Sequence, residues 1–314
     1  MNINYLKGLA SIVLAVGSAF SANVYSQTKR AVSLESFRAV TVVTQPDAIV
    51  WLDGVRFGKS DTSGILTIKT VPSGAHTLRV RADGFAEKSQ ALLPAQKGEV
   101  KVTLTKTTSE AELAYQEAER LTSVDREKSA AAYRRAIKAR PNYPEAYLGL
   151  ARVLLDSGDA EEAEKAIIQA RKLRPGYAEA SAVEGRIQKE NTEEAKAIAA
   201  FKRAITEGKG FQPEAYAGLG LLYKEKAETA GNSGDFDGEN TNYTESAKYL
   251  KTALKQLSGA PDAVIIYQLL GLIYERQKKN SDAISLYEEF LRIFPDTPEA
   301  TAVRSFIVQL DKEQ

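Results

Sequence analysis

Two hydrophobic periods divide the chain. Between Ala39 and Lys106 apolar and polar residues alternate, whereas from Ser109 onward apolar residues return every three or four positions. Alternation places every second side chain on one face and predicts half-buried strands; the longer period predicts amphipathic helices. In the first segment, Val40 and Val42 predict a strand that stops before Pro46. Ile49 to Leu52 are β-formers and run into Asp53-Gly54, a pair suited to the two positive-φ positions of a tight hairpin. Leu66 and Ile68 alternate with Thr67 and Lys69. Pro72-Ser73-Gly74-Ala75 marks a turn, Leu78 and Val80 a further strand, Asp83-Gly84 another turn, and Val100, Val102 and Leu104 the last strand. The expected product is a small antiparallel β-domain over residues 39–106, preceded by a linker over 27–38.

The helical segment repeats itself. Ala136, Ala170 and Ala204 lie 34 apart, as do Pro141 and Pro175, and Ala151, Gly185 and Gly220 are separated by 34 and 35. Small residues at these places let paired helices approach closely, Tyr133, Ile167 and Phe201 fill the space between units, and the prolines end each unit because they cannot continue a helix. One order of residues recurs as Tyr147, Leu150, Ala151, Leu154, Ala163, Ile167, Pro175, again as Tyr216, Leu219, Gly220, Tyr223, and again as Tyr267, Leu270, Gly271, Tyr274, Ala283, Tyr287, Pro295. On these residues the region 110–297 resembles a tetratricopeptide repeat array, a stack of helix–turn–helix units. About five units are expected, with a capping helix over 298–314 that turns a polar face outward. Gly220 and Gly271 are 51 apart. The excess is assigned to residues 229–244, rich in Gly, Asn, Asp and Ser, as a loop inserted in the fourth unit. The first unit lacks the opening aromatic, and the third places Ser181 and Glu184 where bulky residues are usual. The predicted fold is thus multidomain, a small antiparallel β-domain followed by an all-α superhelix.

The β-segment carries a resemblance of its own. A Val-rich strand, Ala48 and Val50 before Asp53-Gly54, then Gly58, Pro72-Ser73-Gly74-Ala75-His76-Thr77-Leu78-Arg79-Val80 and Gly84-Phe85 together resemble a PEGA domain, with Ser73 at the Glu place. That resemblance implies a β-sandwich module of prokaryotic envelope proteins, and location more than activity.

Composition narrows the chemistry. The formal net charge is +1, which argues against a nucleic-acid binder built on phosphate neutralisation. With no cysteine and His76 as the single histidine, disulfides, thiolate nucleophiles, most zinc sites and a His-based triad drop out. No cofactor is expected. Lys7 followed by the apolar run Leu9 to Phe20 reads as an export signal over residues 1–26, short for a membrane span. Cleavage falls after Ser21 or after Ser26; the alternative is a retained anchor. A cleaved signal leaves a periplasmic or extracellular protein of the cell envelope without a transmembrane span.

In a tetratricopeptide stack the first helix of each unit lines a concave face that grips another chain. That resemblance marks Leu148 and Arg152 in the second unit, Ala182, Arg186 and Lys189 in the third, Ala217, Leu221 and Lys224 in the fourth, and Gln268 and Leu272 in the fifth as partner-binding positions. Arg152, Arg186, Lys189 and Lys224 form a basic strip suited to a carboxylate-bearing protein segment, or else a solvated face paired with nearby glutamates. The Lys/Asn clamp by which some such stacks hold chaperone tails is absent. The reading is a non-enzymatic scaffold with a protein or peptide partner. Its rival is a cell-wall or carbohydrate binder that uses Trp51, Phe57 and Phe85 of the β-domain, with the helices as spacer. Asp235, Asp237 and Asn240 sketch a calcium loop but lack the far Glu ligand.

Overall fold

The computed structural model describes residues 37–313; the expected export signal lies outside them. Seven strands come first: β1 (Arg38–Val43), β2 (Ile49–Leu52), β3 (Val55–Lys59), β4 (Ile65–Val71), β5 (His76–Arg81), β6 (Lys88–Leu92) and β7 (Gly98–Lys101). They form two sheets, β4-β1-β7 and β3-β2-β5-β6. All pairings are antiparallel except β1 with β7. Asp53 (φ 50°) and Gly54 (φ 83°) take the left-handed conformations that close the β2–β3 hairpin. Val40, Val42, Ile68 and Val100 of one sheet meet Val50, Leu78, Val80 and Leu92 of the other in a single apolar layer. His76 pins the hairpin to the following turn: its Nδ1 lies 2.6 Å from Asp53 Oδ2 and its Nε2 lies 3.1 Å from the Pro72 carbonyl oxygen.

Eleven helices follow. They are α1 (Glu110–Leu121), α2 (Arg126–Ala139), α3 (Pro144–Asp156), α4 (Ala160–Leu173), α5 (Ala178–Glu190), α6 (Glu194–Glu207), α7 (Pro213–Asn232), α8 (Phe236–Leu257), α9 (Ala263–Arg276), α10 (Asn280–Ile293) and α11 (Ala300–Lys312). Consecutive helices pair as hairpins, and successive pairs stack. Starts are set by Ser109, Asp125, Asp159 and Asp235, whose side chains accept from backbone N–H groups of the first turn, and by Pro144 and Pro213 at the first helical position. The small-residue series does what its spacing implies. Phe201 is fully buried, and a β-carbon on Gly185 or Gly218 would lie 2.6 or 2.4 Å from its ring, so only glycine admits the ring between α5 and α7.

The third unit replaces bulky packing by polar bonds. Ser181 is fully buried and donates to Glu207 at 2.5 Å, while Arg203 and Arg171 both reach Glu184 at 2.7 Å. One expectation needs correction. Residues 229–244 are not a loop: α7 and α8 run on to 20 and 22 residues with a break only at 233–235. Ala227 and Tyr243 are buried between them, Asp235 caps α8, and side chains at 242 and 244 bond one turn back, which outweighs the weak helix propensity of the segment. On α11 the exposed positions are mostly polar, Thr301, Arg304, Ser305, Gln309, Asp311 and Lys312, with Phe306 and Val308 exposed among them.

Candidate functional site

The β-sandwich is not a free appendage. Strand alternation turns Val50, Leu52, Leu78 and Val80 into the sandwich, and so turns Trp51, Arg79 and Arg81 out of it. The register sets Trp51 opposite Arg79. The Arg79 guanidinium lies 4.2 Å and that of Arg81 5.5 Å from the Trp51 ring centroid. Arg81 then continues into the helices: it lies 4.3 Å from the centroid of Tyr115 and is ion-paired with Glu87 and with Glu119 of α1. Gln116 completes the junction, accepting from Gly84 N–H at 2.8 Å and donating to the Phe85 carbonyl at 2.7 Å. Burial, reinforced by Glu119, pushes the Tyr115 hydroxyl up to about 12, so it stays neutral beside the carboxylate.

The same domain also touches the far end of the stack. Val55 belongs to the apolar cluster that contains Leu221 of α7 and Ile266 and Tyr267 of α9, and Phe57 packs against it. Gly259, in the turn between α8 and α9, runs so close to β4 that a β-carbon there would sit 2.8 Å from Thr70 Oγ1. The sandwich therefore bridges the first unit and the last two. Trp51, 7% exposed, is roofed by arginines and carries no open platform for a sugar ring. This corrects the carbohydrate-binding expectation for that residue.

Between these two contacts the first helices α3, α5 and α7 run side by side. Here the expected basic strip turns out to be paired internally. Arg152 of α3 is ion-paired with Glu214 of α7, Arg186 of α5 lies 3.0 Å from Asp156 of α3 and 3.6 Å from Glu214, Lys189 lies 2.6 Å from Glu225, and Lys224 reaches Glu228 one turn on. Burial alone would raise the Glu214 carboxyl, but Arg152 and Arg186 outweigh it and hold the group below its ordinary value. The strip is thus charge-balanced and ties three units together. Of the ten expected groove residues, Leu148, Ala182, Arg186, Ala217, Leu221 and Lys224 are buried; Arg152, Lys189 and Gln268 are half-buried, and Leu272 is exposed. Close packing of the first helices and the arrival of Val55 account for that burial. The pairing partners Glu214, Glu225 and Asp156, each on a neighbouring first helix, lay beyond what the strip of bases alone signalled.

Asp235 and Asp237 hold no cation loop; Asp235 caps α8 by accepting from Gly238 N–H at 2.9 Å. Among the described residues no cluster of acids or histidine has the make-up of a metal site, and no helix is long and apolar enough to cross a membrane.

Two family models, each described as a tetratricopeptide repeat, match residues 115–187 and 237–298. Over those residues the helical stack is made of tetratricopeptide repeats. The chain is also similar, at low identity, to several solved structures. Yeast Tom70 superposes with a TM-score of 0.50 at 16% identity, over 65% of this chain and 40% of that one. MamA matches at 22% identity and TM-score 0.40 over 60% of this chain and 93% of its own. PilW, a type IV pilus biogenesis factor, matches at 15% identity and TM-score 0.47 over 66% and 93%. No curated protein matches the chain. The β-sandwich bound across the stack is a feature that the repeats do not dictate.

Proposed function

We propose that the protein is an exported, non-enzymatic adaptor that holds a partner protein against the first helices of its tetratricopeptide stack, with the PEGA-like sandwich as its envelope module. The observation that carries this reading is the ion-paired alignment of α3, α5 and α7 through Arg152, Asp156, Arg186 and Glu214. It fixes a preformed surface, so a guest bears most of the ordering entropy of binding. Because the bases of that surface already hold acids, a carboxylate-rich guest is disfavoured, and the guest instead combines apolar contact at Leu272 with polar contacts at Arg152, Lys189 and Gln268. Lys7 and the apolar run Leu9 to Phe20 support export, and the turn series Asp53-Gly54, Pro72 to Ala75 and Gly84-Phe85 supports the envelope module.

The test is affinity capture from the native cell with wild type and with the variant Leu272→Asp, at an exposed position outside the ion-paired strip. The variant should lose the captured chains at least tenfold while keeping its melting temperature. Equal capture by both would overturn the assignment of this face. N-terminal sequencing of the mature protein tests export: a start at Ala22 or Gln27 supports it, and a start at Met1 in a soluble fraction contradicts it.

A further inference from the structure

The extended fourth hairpin is a second, separate feature, and the repeats do not explain it. The other paired helices have 12 to 14 residues, whereas α7 and α8 have 20 and 22. Six to eight additional residues at 1.5 Å each carry the turn at 233–235 roughly 10 Å past its counterparts. Residues 232–237 at that turn are all exposed, so the extension contributes little there to the core. It is nevertheless held firmly. Arg276 at the end of α9 donates to Glu239 at 2.9 Å, and Gln277 donates to Asn240 Oδ1 at 2.8 Å and Thr244 Oγ1 at 3.0 Å.

At the summit stands Phe236, 72% exposed, between Asp235 and Asp237. From Thr229 to Thr244 the sequence holds three acids and no Lys or Arg, although the chain as a whole is nearly neutral. A large ring kept in water on a braced projection has the form of an interface anchor, because rigid aromatic side chains seated in a pocket dominate binding energy, and bracing removes part of the ordering cost. The flanking carboxylates select the pocket. They favour a basic rim through charge complementarity and disfavour an anionic membrane surface.

We infer that the α7–α8 tip is a protein-docking knob, in which Phe236 enters an apolar pocket rimmed by Lys or Arg on a partner protein. This surface is distinct from the groove of the first helices, so the protein would hold two partners, or one partner at two places.

A benzophenone side chain in place of Asn232, photo-activated in the protein's own cells, tests the knob. The expected result is an adduct whose cross-linked peptide carries Lys or Arg among apolar residues. Phe236→Ala should lower its yield at least tenfold, and Asp235→Asn with Asp237→Asn about threefold. Asparagine still caps a helix, and Phe236 supports no core, so all variants should keep the wild-type melt. No adduct, an adduct that survives Phe236→Ala, a peptide without basic residues, or an adduct to lipid alone would each overturn the proposal.

Discussion

Arg81 lies 4.3 Å from the ring centroid of Tyr115, and this contact binds the β-sandwich to the first helix of the stack. Arg81 is nearly buried and holds two carboxylates, Glu87 from its own domain and Glu119 from α1. Replacing it with Met keeps the volume but leaves both acids without their cation. Because the acids are partly solvated, a cost of about 2 kcal/mol is expected, below that of a fully buried pair. Hydrogen exchange should quicken in β5 and α1 together. A change confined to β5 would mean that the two domains are not coupled through this residue.

The close approach of Gly185 and Gly218 to Phe201 makes opposite demands on one substitution. Alanine improves helix propensity by about 1 kcal/mol, but its β-carbon would stand 2.6 or 2.4 Å from the ring, and overpacking costs about 1–3 kcal/mol. A net loss of up to about 2 kcal/mol is expected for Gly185→Ala in denaturant melts, partly recovered by adding Phe201→Leu. A stabilised Gly185→Ala would contradict the packing described.

Glu214 gives the stack a pH signature. Its folded value lies below the ordinary 4.5, so the folded state holds that proton more weakly than the unfolded chain does. The contribution is fully present above about 4.5 and fades as pH falls through the lower folded value. Relative to wild type, Glu214→Gln should therefore be most destabilised near neutrality, and the gap should narrow in acid. A gap independent of pH between 7 and 3 would show that the Arg152 pairing contributes nothing.

Much of this architecture was legible in the residues. Alternation around Val40 and Val80 located strands, Asp53-Gly54 located a hairpin, and the Ala136, Ala170, Ala204 spacing located the units, because each signal is local and periodic. Strand β6 was not foreseen, since Lys88, Ser89 and Gln90 look like loop and only Leu92 is buried. The helical tip was missed for a related reason: Gly, Asn and Asp disfavour helix, yet Asp235 as a cap and Tyr243 as a buried contact override them. Site geometry was least legible. Arg152 and Glu214 are 62 positions apart, and nothing local in either indicates that α3 and α7 meet. Trp51, which its aromatic type suggests as a platform for sugar, is the ledge on which Arg79 and Arg81 rest.

The central claim is that the first-helix face, not the outer one, holds the partner. Photo-cross-linking from two exposed positions in the same cells tests it most directly: Leu272 on α9 and Ile168 on α4, of the outer helix row, 45% and 56% exposed. The account predicts a protein adduct from position 272 and none from position 168. A protein adduct from 168 with none from 272 would contradict it.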